Sequence, residues 1–171
     1  MSNRACLRCV ASVLFLWLGA ASGVAAPVKS PLLEPAVPND NTRPAGVLSE
    51  GTLTLRLRAA EGSWKPEGPD GPALRVEALG EVSSPLTVPA PLIRVVEGTQ
   101  IVVSVRNDLD SVLSVHGLCA RDGSPCAPVD VAPGHAREVR FPTGRAGTYH
   151  YWATTMGAPV PFREMARSVG R

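Results

Sequence analysis

The side chains best suited to metal chemistry lie close together in this sequence, between residues 116 and 126. His116, followed directly by Gly117, offers an imidazole, and Cys119 and Cys126 lie a few residues further along. Neutral imidazoles and soft thiolates are ligands that copper and related transition metals accept. His116 is therefore a candidate metal ligand. The sequence contains no nucleotide-binding glycine loop and no hydrolase nucleophile motif, so we predict no catalytic residue.

The first 26 residues have the features of an export signal. Arg4 and Arg8 give a positive start, residues 10–18 form an apolar core, and residues 19–26 are small side chains suited to signal peptidase. The apolar core is too short to cross a bilayer stably. We predict an exported protein, periplasmic or secreted, with cleavage near Ala26 and membrane contact only through the signal. The alternative is an uncleaved membrane anchor.

Export determines how the cysteines are interpreted. Cys6 and Cys9 lie within the signal, so a mature protein keeps only Cys119 and Cys126. Two cysteines in an oxidising compartment usually pair, and the residues between them include a turn-like stretch, 121–125, that a bridge would close. We predict a disulfide. The alternative is that both thiolates are copper ligands beside His116.

Composition limits both the partners and the fold. The chain has 171 residues and a formal charge of +2, which gives no electrostatic reason to expect nucleic acid as a partner. It contains 17 prolines and 16 glycines, which favour a β-rich fold with many turns over a helical bundle.

Alternation of apolar and polar residues predicts the strands that position the histidine. Residues 52–58 and 101–106 alternate as a strand with one buried face does, and residues 92–96 lead into the second of these as a hairpin. In the next strand, alternation places Ser114 and His116 on one face and Leu113 on the other. Gly117 then allows the backbone to turn closely beside the histidine. Further strands are expected at 73–79, around Val139 and at 148–155, with a break at 85–91.

About seven short strands without intervening helices predict an all-β fold, an antiparallel Greek-key β-sandwich of the cupredoxin or immunoglobulin kind. The predicted organisation is a signal peptide at 1–26, a Pro-rich linker at 27–50, a sandwich domain at 51–161 and an irregular tail at 162–171.

Three stretches decide between the two kinds of sandwich. In order, they are PLIRVVEGTQIVVSVRNDL at 91–109, SVHGL at 114–118 and VAPGHAREVRFPTGRAGTYHYWA at 131–153. Together they resemble the N-terminal plastocyanin-like domain of multicopper oxidases, the laccase-like enzymes, over residues 52–161. The resemblance implies a cupredoxin-like fold, and it implies copper as the cofactor of the full enzyme, which oxidises small substrates while reducing oxygen.

The resemblance also implies where copper ligands would lie. The family carries His-X-His-Gly in one strand and a second His-X-His pair after an aromatic run. Here Ser114 and His116 occupy the first pair of positions, and Trp152 and Thr154 occupy the second. His150 falls where the family has an aromatic residue. A single imidazole cannot hold a trinuclear copper cluster, so we do not expect this chain alone to reduce oxygen.

The sequence supports two interpretations of the whole. The first is the front part of a longer multicopper oxidase, in which further cupredoxin domains of the same chain are the partners. On this interpretation, the closing strand of the present domain is missing. The second is an exported, metal-free cupredoxin-like module that binds another envelope protein. Tyr149, Tyr151 and Trp152 are expected to be core and interface aromatics in either case.

Overall fold

The computed structural model describes residues 33–155, which contain ten strands and no helix. The predicted signal and the predicted C-terminal tail lie outside these residues. The strands are β1 Glu34–Pro38, β2 Val47–Ser49, β3 Thr52–Trp64, β4 Leu74–Glu81, β5 Leu86–Val88, β6 Gln100–Asn107, β7 Leu113–His116, β8 Val129–Val131, β9 Ala136–Pro142 and β10 Trp152–Thr154. The predicted all-β class is confirmed. Within residues 33–155, no helix is long and apolar enough to span a membrane.

The strands form two sheets. The larger has the order β1-β5-β4-β3-β6-β9, with β2 paired to β3, and the smaller has the order β10-β7-β8. The smaller sheet is antiparallel throughout. The larger is mixed, since β3 pairs in parallel with β6, and β1 pairs in parallel with β3 and β5. A purely antiparallel sandwich was expected. The parallel pair β3–β6 arises because β4 and β5 form the crossover that parallel neighbours need.

The hydrophobic core lies between the two sheets. The predicted alternation is confirmed: Leu55 and Leu57 of β3 and Val103 of β6 are 0% exposed, and they pack in one cluster with Val115 of β7 and Val131 of β8. Each fully buried aliphatic side chain of this kind contributes roughly 1.5–3 kcal/mol to folding. Burial of these side chains fixes which face of the smaller sheet points outwards.

The predicted Pro-rich linker at 27–50 is wrong from residue 34 onwards. Strand β1 pairs with β3 and β5, Ala36 is only 7% exposed, and Glu34 forms an ion pair with Arg58. Strand β2 also precedes the predicted domain start at residue 51. In β1, two prolines interrupt any local pattern and the partners in β3 are 28 residues away, whereas β2 has only three residues and pairs with the start of β3.

Two local predictions between residues 85 and 99 are also wrong. The predicted break contains β5, whose Leu86 is fully buried against Ala36 and Ala78. The predicted hairpin is absent, because residues 92–96 form no strand and make only a bridge between Leu92 and Pro44. Three-residue strands of this kind carry too few residues to show a period.

A buried asparagine ties β6 to the smaller sheet. Asn107 is 0% exposed; its Nδ2 donates to the carbonyl oxygens of Ser111 and Val131, at 2.8 and 2.9 Å, and its Oδ1 accepts from the Leu109 amide at 2.9 Å. These bonds hold the start of the connection to β7 against the end of β8. The side chain therefore helps to place the strand that carries His116.

Candidate metal centre

Strands β7 and β10 bring the four candidate ligand positions together. In their antiparallel register, Trp152 lies opposite His116 and Thr154 lies opposite Ser114. Directly opposed residues of an antiparallel pair project to the same face, and residues two apart on one strand do as well. All four side chains therefore share the face of the smaller sheet that points away from buried Val115.

His116 is held by an aromatic stack. The imidazole and the indole of Trp152 are nearly parallel, with ring centroids 5.1 Å apart and an interplanar angle of 10°. The imidazole Nε2 and the indole Nε1 are both buried without a hydrogen-bond partner among the described residues, and the same holds for Oγ1 of Thr154. Ser114 is engaged differently, since its hydroxyl donates to Oδ1 of Asp130 at 2.6 Å.

Gly117 shapes the backbone beside His116, as the sequence predicts. It has a φ of +82°, which non-glycine residues rarely adopt. A Cβ built on it would lie 2.3 Å from the carbonyl oxygen of His150 and 3.0 Å from Cα of Tyr151. The glycine is therefore required both by its own dihedral angle and by the close approach of the segment that leads into β10.

The other histidines do not complete a ligand set. His135 lies in an exposed turn, where its Nδ1 is 2.8 Å from the carbonyl oxygen of Pro133. His150 is exposed and precedes the first residue of β10 by two positions. Among residues 33–155, no group of three or more His, Cys, Asp or Glu side chains could hold a metal ion.

Cys119 and Cys126 form a disulfide in the structure, with their Cα atoms 5.7 Å apart. Bonded sulfurs present no thiolate, so neither cysteine supplies the anionic ligand that the alternative interpretation requires. The bridge lies next to Arg121, whose Nη1 is 3.7 Å from Sγ of Cys119.

The aromatic run serves three different purposes. Tyr151 packs against the core, and its hydroxyl donates to the carbonyl oxygen of Pro91. Burial raises the pKa of this phenol, which keeps the hydroxyl protonated as a donor. Tyr149 is 48% exposed, and the guanidinium of Arg121 lies over its ring at 4.9 Å from the centroid. Trp152 stacks on His116 instead of reaching the core.

The residues at the four ligand positions do not fit copper. They offer an imidazole, an indole and two hydroxyls, of Ser114 and Thr154. An indole N–H is a donor only, and an alkyl hydroxyl is a weak ligand for a metal that prefers imidazole, thiolate or thioether. We therefore derive no chemical step through copper at this face.

Sequence reasoning placed the four positions on two strands but missed their cross-strand register and two contacts. The bond from Ser114 to Asp130 and the contact of Arg121 with Tyr149 join residues 16 and 28 positions apart. No local signal marks either pair. The apolar-polar-apolar order of Val129, Asp130 and Val131 does indicate that Asp130 lies on the outer face of β8.

Two comparisons with known proteins relate part of this chain to multicopper oxidases. Residues 86–168 match the multicopper oxidase family model. Multicopper oxidase MmcO of Mycobacterium tuberculosis is 40% identical over 88 residues, which cover 46% of this chain and 17% of that protein. The described domain is a cupredoxin-like β-sandwich. Over residues 86–168, the chain is therefore similar to multicopper oxidases.

Solved structures of the same class are similar at low identity. A multicopper oxidase from Campylobacter jejuni, a metallo-oxidase, aligns with a TM-score of 0.47 and 23% identity, covering 71% of this chain and 26% of that one. A laccase from Pediococcus acidilactici aligns with a TM-score of 0.42 and 22% identity, covering 67% and 23%. The chain thus spans 17% to 26% of the length of these proteins.

Proposed function

We propose that this chain supplies a plastocyanin-like domain to a multicopper oxidase and contributes packing rather than a set of copper ligands. In the full enzyme, copper-dependent oxidation of a small substrate would be coupled to oxygen reduction through ligands on other domains. The observation that carries the proposal is the register of β7 and β10, which places all four ligand positions on one face with a single imidazole among them. The similarity of residues 86–168 to multicopper oxidases supports the copper-dependent role.

The stack of Trp152 on His116 supports the structural role of this face. The indole occupies the position directly opposite the imidazole, where a second ligand would lie. Its ring covers one side of the imidazole, and Nε2 of His116 is buried. A metal ion would need both the removal of the indole and two or more further ligands from elsewhere.

Copper content measured by mass spectrometry of the metal-loaded full chain tests the proposal. We expect the copper content to be far below one equivalent and to be the same for the wild type, His116→Ala and the matched control His135→Ala. The exposed turn histidine is the control because its imidazole faces solvent in a turn. Near-stoichiometric copper that is lost in His116→Ala but kept in His135→Ala would contradict the proposal.

A variant that restores the ligands makes the same experiment informative in both directions. The triple substitution Ser114→His, Trp152→His and Thr154→His would place four imidazoles at two directly opposed pairs of positions, with the Cβ atoms of each cross-strand pair about 4.5–5.5 Å apart. We expect this variant to retain copper where the wild type does not. Failure of the variant to bind copper would show that the absence of imidazoles at these positions does not by itself explain why the wild type binds none.

A second candidate function is an exported, metal-free module that binds another protein of the envelope. The poor fit of the four positions to copper favours it, because a domain with no metal needs no oxidase around it. Export, to the periplasm or to the medium, is part of both proposals. The mass of the protein isolated from its native cell separates them. A stable species of the size of residues 27–171 would support the module, and a much longer chain would support the oxidase domain.

A further inference from the structure

A cleft lies beside the smaller sheet; its lining includes Gly117 and Tyr151, the chain neighbours of His116 and Trp152, but none of the four ligand positions. It is bounded by the segments 92–97, 117–121 and 143–151, and its volume is about 450 Å³. Cavities that hold small organic ligands typically measure 300–1,000 Å³. The cleft is therefore large enough for a molecule with a single ring.

The floor of the cleft is apolar and fixed. Ile101 and Leu118 are 4% and 5% exposed, and Phe141 and Tyr151 pack against the same core. The hydroxyl of Tyr151 is held by the carbonyl oxygen of Pro91. A flat apolar body could therefore bind here without ordering a mobile wall, which lowers the entropic cost of binding.

The rim of the cleft is positively charged. Arg94, Arg121 and Arg145 line it, and Glu97 is the carboxylate that opposes them. Within residues 33–155, none of the three arginines forms an ion pair, whereas Glu97 accepts a bond from the Ala146 amide at 3.2 Å. The rim therefore has cationic groups in excess, and an anion would complement them.

Arg121 is held in place for such an interaction. Its guanidinium stacks on Tyr149, and its Nη2 donates to the carbonyl oxygen of Gly117. A guanidinium carries five N–H donors, so several remain for a ligand. Gly144 allows this position, since a Cβ on it would lie 2.7 Å from Cβ of Arg121. A guanidinium fixed beside an apolar floor is suited to bind the carboxylate of a ligand whose ring lies on that floor.

We propose that this cleft binds a small organic carboxylate with a flat, apolar body. Arg121 and Arg145 bind the carboxylate, and the ring packs between Tyr149 and the apolar floor. The ligand class follows from the charge of the rim and the shape of the floor, and it requires no metal. The proposal is independent of the structural role proposed for the outer face of the smaller sheet.

Sodium benzoate is the probe for the first test, with benzamide as its neutral counterpart and acetate as the carboxylate that lacks the ring. Titrations of the full chain, followed by backbone amide shifts, should give saturable binding of benzoate. We expect benzamide and acetate to bind at least about tenfold more weakly, because each lacks one half of the interaction. Equal affinities for benzoate and benzamide, or no saturable binding of benzoate, would overturn the proposal.

Three arginine variants locate the site. Arg121→Gln should weaken benzoate binding about tenfold, and Arg145→Gln, which alters an exposed side chain and leaves the fold intact, should weaken it several-fold. Arg56→Gln is the matched control, because Arg56 is an exposed arginine of β3 that does not line the cleft. An unchanged affinity in both cleft variants, or an equal loss in the Arg56 variant, would place the binding elsewhere and overturn the proposal.

Discussion

The two faces of the smaller sheet follow the same alternation but differ in what their side chains do. The inner face is filled by Leu113, Val115 and Val131, all 2% exposed or less, which pack on the larger sheet. The outer face carries His116 stacked on Trp152, with three polar atoms buried and unpartnered among residues 33–155. The inner face is specified by burial alone, whereas the outer face carries one imidazole among the four positions at which the resemblance predicts ligands. Backbone register and ligand chemistry are therefore set by different residues.

The largest effect should come from the core between the sheets. Leu55→Ala removes a side chain that is 0% exposed, and we expect a loss of about 2–5 kcal/mol in the free energy of unfolding because a cavity replaces buried apolar contacts. Denaturant unfolding followed by circular dichroism measures it. Leu48→Ala, at a side chain that is 55% exposed, is the control and should change stability little. Equal losses in the two variants would refute the location of the core.

A smaller loss is expected from the disulfide. Replacing both Cys119 and Cys126 by Ser removes a bridge that closes a loop with a sequence separation of 7, which should cost about 2–3 kcal/mol in the chain-entropy account. Thermal unfolding of the variant and the wild type measures the difference. Thiol counting on the denatured wild type, without reductant, checks the starting point: free thiols from these two positions would show that the bridge does not form.

The smallest effect should have the opposite sign and should come from the outer face. Thr154→Val replaces a buried hydroxyl without a partner by a methyl group of the same shape, so stability should rise by up to about 1 kcal/mol. Thr143→Val is the matched control, because the Thr143 hydroxyl donates to the carbonyl oxygen of Thr99 at 3.1 Å and its loss should destabilise by about 1 kcal/mol.

Unfolding experiments on both threonine variants measure this contrast in sign. A destabilised Thr154→Val variant would show that the hydroxyl has a partner that matters. The outer face would then resemble the inner one in being fully specified by its contacts.

Much of this domain could be predicted from alternation alone. The buried faces of β3, β6 and β7 follow from a period of two, and so does the shared face of Ser114 and His116. Strands β1, β2 and β5 could not be predicted, because three to five residues carry no measurable period and β1 is also interrupted by proline. The partners of β1 in β3 are 28 residues away, as in the pair of Ala36 with Trp64.

The sequence could predict which residues occupy the candidate site but not which of them contact each other. The resemblance placed two pairs of residues on two strands, and only the register shows that Trp152 lies on His116 and Thr154 on Ser114. The cationic cleft gave no sequence signal at all. Arg94, Arg121 and Arg145 lie in three separate connections, and the folding of the whole domain brings them to one rim.

Gly117 has a consequence for how copper oxidases are recognised. The contact of its backbone with the carbonyl oxygen of His150 requires glycine for steric reasons, whether or not any metal is present. Glycine at the end of this strand is therefore required by the fold, whatever residue precedes it. The glycine thus reports on the backbone geometry, and it carries no information about metal binding at the neighbouring positions.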